Sequence, residues 1–236
     1  MVDESRQFLR ALAKFPPPSE ISIEVIQTGI GANRVRASLE ATLSLPPDAL
    51  IVFGTAAGLD SSLQPGDTVF YREVAGQNGS VLGTSETLTD YLDTILMPLR
   101  PRRGNGVTVG VPVCSASEKA ELQASTEGQC VDMESLTFAD FAQQHEIPLA
   151  VLRVVVDPAT QTIPSAALAG MHEDGRNRVW PTLFALLKNP KQLPSLLMLA
   201  AQYRRALQTL RRAAELICAD IKLRSVTELA TYFSKY

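Results

Sequence analysis

The sequence predicts an α/β fold, with helices flanking a β-sheet, and three observations lead to it. Residues Ile147 to Val156 form an almost unbroken aliphatic run of strand length. Between Phe138 and Ala142, just before that run, apolar residues recur at helical spacing. The chain has 236 residues, of which 45% are hydrophobic, so it is long enough for one domain with a full core. We therefore expect a single domain over residues 1–236, with residues 190–225 as a C-terminal helical extension.

Charge and composition exclude several classes of protein. A net charge of −3 gives no general attraction to nucleic acid, so no nucleic-acid partner is expected. Two histidines and no CxxC motif argue against a zinc site, and we expect neither a metal nor another cofactor. Three scattered cysteines suit a reducing compartment. No apolar run reaches the length of a membrane span, and Met1 to Ala13 lacks a signal peptide's apolar core, so we expect a cytoplasmic protein.

The first elements of the chain are a helix, a strand and a glycine turn. Asp3 to Lys14 has apolar residues on one side and is followed by three prolines, which predicts a short helix. Ile21 to Gln27 alternates apolar and polar residues, as a half-exposed strand does. Thr28 to Gly31 then leads into a helical pattern, and the free N–H groups of a helix start can bind an anion. The residues of this turn alone favour the alternative, that the glycines only permit a tight turn.

A second strand, Ala49 to Phe53, runs into the small residues Gly54 to Leu59. Small residues let a ligand approach the backbone closely, and Thr55 adds a hydroxyl group there. A hydroxyl group in a surface turn is the alternative interpretation of Thr55.

The middle of the chain predicts further strands and two helices. We expect Thr68 to Val74 and Val107 to Val113 as strands, Gly76 to Gly83 as a hairpin or loop, Leu88 to Leu99 as a helix, and a second helix that begins at Ser117 as its cap. Pro98 to Gly106 contains three arginines, which could meet phosphate, but a solvated basic loop is the favoured interpretation.

Three acidic residues flank the predicted helix and the aliphatic strand that follows it. Asp132 and Glu134 come before the helical pattern, and Asp157 ends the strand. Ligands collect at the carboxyl ends of strands in open parallel sheets, so Asp157 stands where chemistry is usually done. The alternatives are a strand-end acid that caps a turn and, for Glu134, an acid favoured by the dipole of the following helix.

The C-terminal third predicts helices only. They are Ser165 to Met171, Trp180 to Leu187 and the long Leu193 to Arg224. The last helix carries an apolar stripe beside several arginines. Packing against the sheet or a second subunit is favoured for this stripe over contact with a lipid or a membrane surface.

Four motifs follow one another between Ile21 and Ala159. They are TGIG from Thr28, GTAAGLD from Gly54 with PGD from Pro65, VDMES from Val131, and RVVVD ending at Asp157. In this order they resemble the purine nucleoside phosphorylase and methylthioadenosine/S-adenosylhomocysteine nucleosidase superfamily. The C-terminal part, with PKQLP from Pro190 and a basic terminal helix, is similar to the hopanoid-associated phosphorylase branch, which is thought to depurinate adenosylhopane.

The resemblance implies a three-layer fold with a twisted mixed sheet, and a reaction that breaks the N-glycosidic bond of a purine nucleoside. Asp157 would be the general acid toward the purine N7, which requires burial to raise its pKa. Glu134 would accept hydrogen bonds from the ribose hydroxyl groups and favour the cationic sugar of the transition state. Met133 would pack under the sugar, and Glu4 is the best match to the family's N-terminal acid, which activates water in hydrolases.

The remaining pocket residues also come from the resemblance. Thr55, Ala56 and Ala57 would line the base and nucleophile side. Gly29 and Gly31, with Thr55, would hold phosphate if phosphate is a co-substrate.

This sequence departs from the family pattern at four points. The family's first strand, which lies inside the sheet, is not found before Glu4. Val156 replaces a common serine, Ala57 replaces a common glycine, and Val52 stands where hexameric phosphorylases carry a phosphate-binding arginine. The last departure bears on whether phosphate is used.

We therefore expect an enzyme that removes purine from an adenine nucleoside, with adenosylhopane as one candidate substrate. A methylthioadenosine/S-adenosylhomocysteine nucleosidase and a catalytically inactive nucleoside-binding homologue are the alternatives. If the substrate is lipid-linked, we expect the protein to contact a membrane surface as a peripheral protein. The resemblance also implies a homodimer or a higher homo-oligomer.

Overall fold

The computed structural model describes residues 2–29, 31–42, 46–164, 167 and 190–233. The helices are α1 (Val2–Lys14), α2 (Ala32–Thr42), α3 (Glu86–Leu96), α4 (Ala116–Thr126), α5 (Ser135–Gln144), α6 (Leu193–Leu223) and α7 (Val226–Phe233). Short 3-10 turns span Met97–Leu99 and Pro190–Gln192. The strands are β1 (Leu50–Gly58), β2 (Thr68–Gly76), β3 (Val81–Gly83), β4 (Arg102–Thr108), β5 (Cys130–Asp132) and β6 (Leu149–Val155).

The sheet is mixed and curls back on itself. Its strand order is β3-β2-β4-β5-β1-β6, and β6 also pairs with β2. The pairs β1–β6, β2–β4 and β4–β5 are parallel, whereas β1–β5, β2–β3 and β2–β6 are antiparallel. The register of β1 on β6 runs from Leu50 opposite Leu149 to Ala56 opposite Val155, but β1 meets β5 only at Ala57 and Gly58. Most of β1 therefore has a strand neighbour on one edge only.

Helices cover both sides of the sheet. Buried residues of α2 and α5 pack with β1, β2 and β6 in one core cluster. A second cluster joins α3, α6 and α7 to the opposite side of β2 and β6. Helix α1 packs on α6 through Ala11, Ala214 and Cys218, each of which is at most 1% exposed. The predicted fold class, a mixed sheet flanked by helices with a long C-terminal helix, is confirmed.

The predicted helices at both ends of the described chain are confirmed. The helix expected from Asp3 to Lys14 is α1, and the one expected from Leu193 to Arg224 is α6, which ends one residue earlier. No helix in the described part of the chain combines the length and apolarity needed to cross a bilayer. The helix predicted from Trp180 to Leu187 lies outside the described residues, as does most of the one from Ser165 to Met171.

Four local predictions were wrong, and one of them is the strand expected from Val107 to Val113, of which only Val107 and Thr108 lie in β4. The segment Ile21 to Gln27 keeps its alternation of half-buried and mostly exposed residues, but it forms neither a helix nor a strand. The basic stretch after Pro98 is not a loop throughout, because β4 begins at Arg102 and ends at Thr108. Strand pairing with β2 needs only backbone groups, so a basic sequence can occupy it.

The cap of α4 also differs from the prediction. The cap is Ser115, not Ser117: its Oγ accepts a hydrogen bond from Glu118 N, and the Glu118 carboxylate accepts one from Ser115 N. This reciprocal capping box satisfies two backbone donors at the helix start. The helix is thereby fixed two residues earlier than predicted, and Lys119 lies on its first turn.

Candidate active site

Arg153, on β6, is the centre of a buried charged cluster. Its side chain is 6% exposed, and its Nε donates to Asp132 Oδ2 at 3.0 Å. Its Nη2 donates to Ser135 Oγ at 2.9 Å and lies 3.6 Å from Glu134 Oε2. A buried guanidinium must be paired to offset its lost hydration, and three side chains around it do so. Burial lowers the pKa of Arg153, but Asp132 and Glu134 outweigh it and the net shift is upward.

Asp132 fixes the connection between β5 and α5. Its carboxylate accepts hydrogen bonds from Thr108 Oγ1, Glu134 N, Ser135 N and Ser135 Oγ, at distances from 2.5 to 3.1 Å. Burial raises the pKa of Asp132, but Arg153 and the Ser135 bonds outweigh it and hold the pKa below its usual value. With all these bonds, Asp132 acts as a structural anchor that positions Glu134.

Glu134 is the incompletely satisfied member of the cluster. It is 6% exposed, and its Oε1 has no hydrogen-bond partner within the described part of the chain. Burial raises its pKa to about 7, against the lowering effect of Arg153, and the charges of Asp132 and Glu4 add to the rise. A buried carboxylate oxygen without a donor is costly, so this atom is ready to accept a hydrogen bond from a ligand.

Glu4 reaches the same cluster from α1. It is 6% exposed, and its Oε1 accepts from Thr55 N at 3.0 Å and from Thr55 Oγ1 at 2.5 Å. Burial raises the pKa of Glu4, but the net shift is downward, with the Thr55 hydrogen bond and Arg153 among the causes that lower it. Two buried carboxylates near one arginine thus have pKa shifts of opposite sign.

Gly54 makes room for Arg153 and Glu4 beside β1. A Cβ atom at this position would lie 2.6 Å from Arg153 Nη1 and 3.6 Å from Glu4 Oε2. The first distance is shorter than real Cβ contacts allow, so any larger residue would displace the guanidinium.

A cavity of about 990 Å³ opens beside these residues. Glu4, Thr55, Glu134 and Arg153 lie at its wall, and the segment 20–29, β1 and α7 line the rest. Many of its other wall residues are apolar. They include Phe8, Ile21, Ile23, Phe53, Leu229 and Phe233. Its size is that of an organic ligand site, with a charged cluster beside apolar walls.

Asp157 lies at the end of β6 in a second buried cluster. Its side chain is 7% exposed and forms an ion pair with Lys119, whose side chain is 0% exposed. Lys119 Nζ donates to Asp157 Oδ2, to Pro158 O at 2.9 Å and to Gln161 O at 3.0 Å. Burial raises the pKa of Asp157, and Lys119 only partly offsets this. Among the described residues that line the 990 Å³ cavity, Asp157 does not appear.

A family model described as the phosphorylase superfamily matches residues 20–189 of the 236 residues. The chain belongs to the phosphorylase superfamily. The superfamily resemblance seen in the motifs is thereby confirmed, whereas the hopanoid-associated branch stays a prediction.

Solved structures share the fold of this superfamily member. The Campylobacter jejuni 5′-methylthioadenosine/S-adenosyl homocysteine nucleosidase gives a TM-score of 0.65 at 14% identity, covering 95% of this chain and 96% of that chain. The Helicobacter pylori futalosine hydrolase gives 0.66 at 15% identity, covering 93% and 94%. The Helicobacter pylori 5′-methylthioadenosine/S-adenosyl homocysteine nucleosidase, solved with a bound pyrrolidine compound, gives 0.61 at 15% identity, covering 97% and 95%.

The structure places the other predicted site residues of this phosphorylase-superfamily chain unevenly. Gly29, with φ of 80°, lines the cavity, and Gly31 has φ of 95°. Ala56 is 7% exposed in the core, and Ala57 packs with Met133 against the Val107 cluster. Glu4, Thr55 and Glu134 are thus brought together, and Asp157 stands apart from them with Lys119.

Two residues of the candidate site had no predicted role, namely Arg153 and Lys119. Arg153 could have been found, because a single arginine inside an aliphatic strand must be buried and therefore paired. Lys119 gave no such signal. It lies on a helix of mixed polarity, and its three acceptors are 38 to 42 residues away in the chain.

Proposed function

We propose that this chain hydrolyses the N-glycosidic bond of a purine nucleoside with water as the nucleophile. The observation that carries the proposal is the pair of buried carboxylates, Glu4 and Glu134, which face one cavity beside Arg153 with pKa shifts of opposite sign. Paired acids whose environments separate their pKa values can take different roles in one reaction.

Glu4 is the group that activates water. Its lowered pKa keeps it ionised near neutral pH, so it can accept the proton of a water molecule that attacks C1′ of the ribose. Thr55 holds Glu4 Oε1 with two hydrogen bonds, which leaves Oε2 on the side of Gly54 and Arg153. The bonds from Thr55 fix the orientation of the base.

Glu134 is the group that holds the ribose. Its Oε1, which has no partner in the part of the chain that the structure describes, can accept hydrogen bonds from sugar hydroxyl groups. Such bonds would offset the cost of burying the charge, so substrate binding favours the ionised form. An ionised Glu134 beside the sugar stabilises the positive charge that develops on the ribose as the N-glycosidic bond breaks.

Asp157 is the group that delivers a proton to the leaving purine, as the superfamily resemblance implies. Its burial at the end of β6 and its raised pKa support this role. The role also requires the purine to extend from the cavity to the end of β6, because Asp157 is not among the described residues that line the cavity. As the N-glycosidic bond breaks, the electron pair of that bond goes to the purine, and the purine N7 accepts the proton of Asp157. The product is a neutral base, while the water molecule adds to C1′ and gives its proton to Glu4.

Three features favour water over phosphate. Both donors of Thr55, the N–H and the hydroxyl group, go to Glu4, so they do not point at an anion. Glu4 and Glu134 place two carboxylates next to the candidate nucleophile position, and these repel a phosphate dianion. Val52, which lines the cavity, supplies no charge where an arginine would bind phosphate.

The apolar walls of the cavity favour a nucleoside with an apolar substituent over plain adenosine. The space beyond Arg153 is lined by apolar groups of the segment 20–29 and of α7. A methylthio group or a lipid chain on the ribose could lie there and gain from leaving water. The adenine base, the adenosylhopane substrate and assembly as a homodimer or larger oligomer stay predictions.

The test is purine release from adenosine, methylthioadenosine and adenosylhopane, each with and without phosphate. We expect release that does not change with phosphate and is faster with an apolar substituent. Glu4→Gln should reduce the rate at least about 100-fold, since the general base is lost. Glu40→Gln, an exposed change on α2, is the matched control.

Other outcomes would point elsewhere. Release that saturates with phosphate would make the protein a phosphorylase, with Gly29 and Gly31 as the candidate anion turn. Tight binding of the nucleosides without any turnover would make it an inactive nucleoside-binding homologue. An unchanged rate in Glu4→Gln would remove Glu4 from the mechanism.

A further inference from the structure

Five hydrogen bonds connect helix α4 and the residues just before it to the turn after β6. Three of them come from Lys119 Nζ, which donates to Asp157 Oδ2, Pro158 O and Gln161 O. Two further bonds run between the backbone before Lys119 and the end of the turn, Ile163 N to Cys114 O at 2.8 Å and Ala116 N to Thr162 Oγ1 at 3.4 Å. The side chain of Lys119 is fully buried, and its three N–H donors meet three acceptors.

We propose that Lys119 is a positioning residue that acts through Asp157, holding its carboxylate at the end of β6 and controlling the proton which that carboxylate delivers. This inference rests on the proposed function, because it needs Asp157 as the acid of the reaction. Lys119 itself touches no cavity residue that the proposal assigns to water or ribose.

The physical basis is the charge of Lys119 in a dry surrounding. An acid that gives its proton to the purine becomes an anion, and a cation in contact stabilises that anion. The same cation makes Asp157 lose its proton at lower pH than burial alone would dictate. Lys119 therefore has two opposite effects, since it reduces the protonated fraction of Asp157 and eases the transfer from it.

Other charged groups near Asp157 do not provide this effect. In the described part of the chain, Cys114 also interacts electrostatically with Asp157; burial, Glu118 and Asp157 together raise the pKa of its thiol, and Lys119 lowers it. The Glu118 carboxylate accepts hydrogen bonds from Cys114 N and Ser115 N at the helix start. Lys119 is thus the cation that faces the carboxylate.

The test compares the wild type with Lys119→Met, which keeps the unbranched side chain up to the ε position and removes the charged amino group. Two quantities are measured, the titration midpoint of Asp157 by ¹³C NMR of labelled aspartate carboxyl groups, and kcat and KM for purine release. Asp157→Asn identifies the resonance of Asp157. We expect the midpoint to rise by at least about one pH unit, because a cation within about 4 to 6 Å typically lowers the pKa of a carboxyl by one to three units.

The kinetic expectation separates positioning from a purely structural role. We expect kcat to fall at least about 10-fold in Lys119→Met with KM changed less than about 3-fold, since the ribose contacts are intact and only transition-state stabilisation is lost. Lys222→Met, an exposed change near the end of α6, should alter neither the midpoint nor kcat.

Lys119→Gln is the second variant, in case the methionine variant does not fold. Glutamine can still donate to the two carbonyl oxygens but carries no charge. An unchanged Asp157 midpoint in a folded variant would overturn the proposal. If the wild type releases purine, an unchanged kcat in the folded variant would overturn it as well. The NMR midpoint needs no turnover. A wild type without purine release therefore contradicts the proposed function, while the midpoint still tests the control of Asp157 by Lys119.

Discussion

The Arg153 cluster and the Lys119 cluster bury the same kinds of charges in different ways. Lys119 uses all three of its donors on protein acceptors. Around Arg153, Glu134 keeps one carboxylate oxygen that has no partner among the described residues, at the wall of a cavity. A fully satisfied cluster fixes a conformation, whereas a partly satisfied one beside a cavity retains affinity for a ligand.

The difference also shows in the direction of the pKa shifts. In the Arg153 cluster, Glu4 has a lowered pKa and Glu134 has one raised to about 7, although both are buried. In the Lys119 cluster, burial raises the pKa of Asp157 despite its ion pair. Burial alone thus does not decide the direction in which the pKa of a carboxyl group shifts; the charges and the hydrogen-bond donors around it also contribute.

The largest expected effect comes from removing the cation of the Arg153 cluster. Arg153→Met leaves Asp132 and Glu134 buried without their partner, and we expect the free energy of unfolding to fall by about 3–5 kcal/mol. Urea unfolding at pH 7 measures it. Arg36→Met breaks an ion pair with Asp140 whose side chains are 46% and 36% exposed, and should cost about 1 kcal/mol or less. Similar losses in both variants would contradict a special role for the buried cluster.

Glu134→Gln tests the open side of this cluster. We expect purine release to fall about 100-fold to 1,000-fold, because a neutral amide stabilises the cationic ribose poorly. Thermal unfolding at pH 4.5 should change little, since the buried carboxyl group is protonated there and glutamine is a neutral group of the same size. Glu121→Gln, exposed on α4, is the control. If both variants kept full activity, the ribose role of Glu134 would be excluded.

The pH dependence of stability follows from the raised pKa of Glu134. Between its unfolded value of 4.5 and about 7, the folded state binds more protons than the unfolded state. Stability from Glu134 is therefore present below pH 4.5 and is lost as the pH rises toward 7. The difference in unfolding free energy, wild type minus Glu134→Gln, should fall by on the order of 1–3 kcal/mol over this range. A flat difference in urea titrations at several pH values would contradict the raised pKa.

The smallest expected effect concerns the helix that carries Lys119. Ser115→Ala removes the cap of α4 and should lower the free energy of unfolding by about 1 kcal/mol. Ser117→Ala changes the exposed serine that the sequence suggested as the cap and should stay within about 0.5 kcal/mol of the wild type. Chemical denaturation of both variants measures the two losses of stability. Equal losses would contradict the assignment of Ser115 as the cap.

Sequence patterns predicted those elements whose side-chain periodicity decides their structure. The stripe from Leu193 and the aliphatic run before Asp157 each gave the correct element, because burial of one helical face or of a whole strand is visible in the sequence. Ile21 to Gln27 failed although its alternation persists, since a strand also requires a neighbour for its backbone hydrogen bonds. Alternation predicts which side is buried but not whether a partner strand exists.

The candidate site was predicted in its acids and missed in its cations. Motif order pointed to Glu134 and Asp157, and the match to the family's N-terminal acid pointed to Glu4; the roles assigned to all three stay proposals. Arg153 and Lys119 had no assigned role, because an ion pair depends on distances across the fold that spacing along the chain does not reveal. The separation of Asp157 from the cavity residues was invisible for the same reason.

The bond from Thr55 N to Glu4 has a spectroscopic consequence. Leu50 N donates to Pro148 O and Ala56 O accepts from Val156 N, so the even-numbered residues of β1 direct their backbone groups toward the β6 segment. The N–H group of Thr55 therefore points away from β6, where it donates to the Glu4 carboxylate and not to another strand. The ¹H and ¹⁵N chemical shifts of this one amide respond to charge on Glu4 and to anything that contacts Glu4. In ¹⁵N-labelled protein, the Thr55 amide is therefore a probe through which ligand occupancy can be followed without a labelled ligand or a turnover assay.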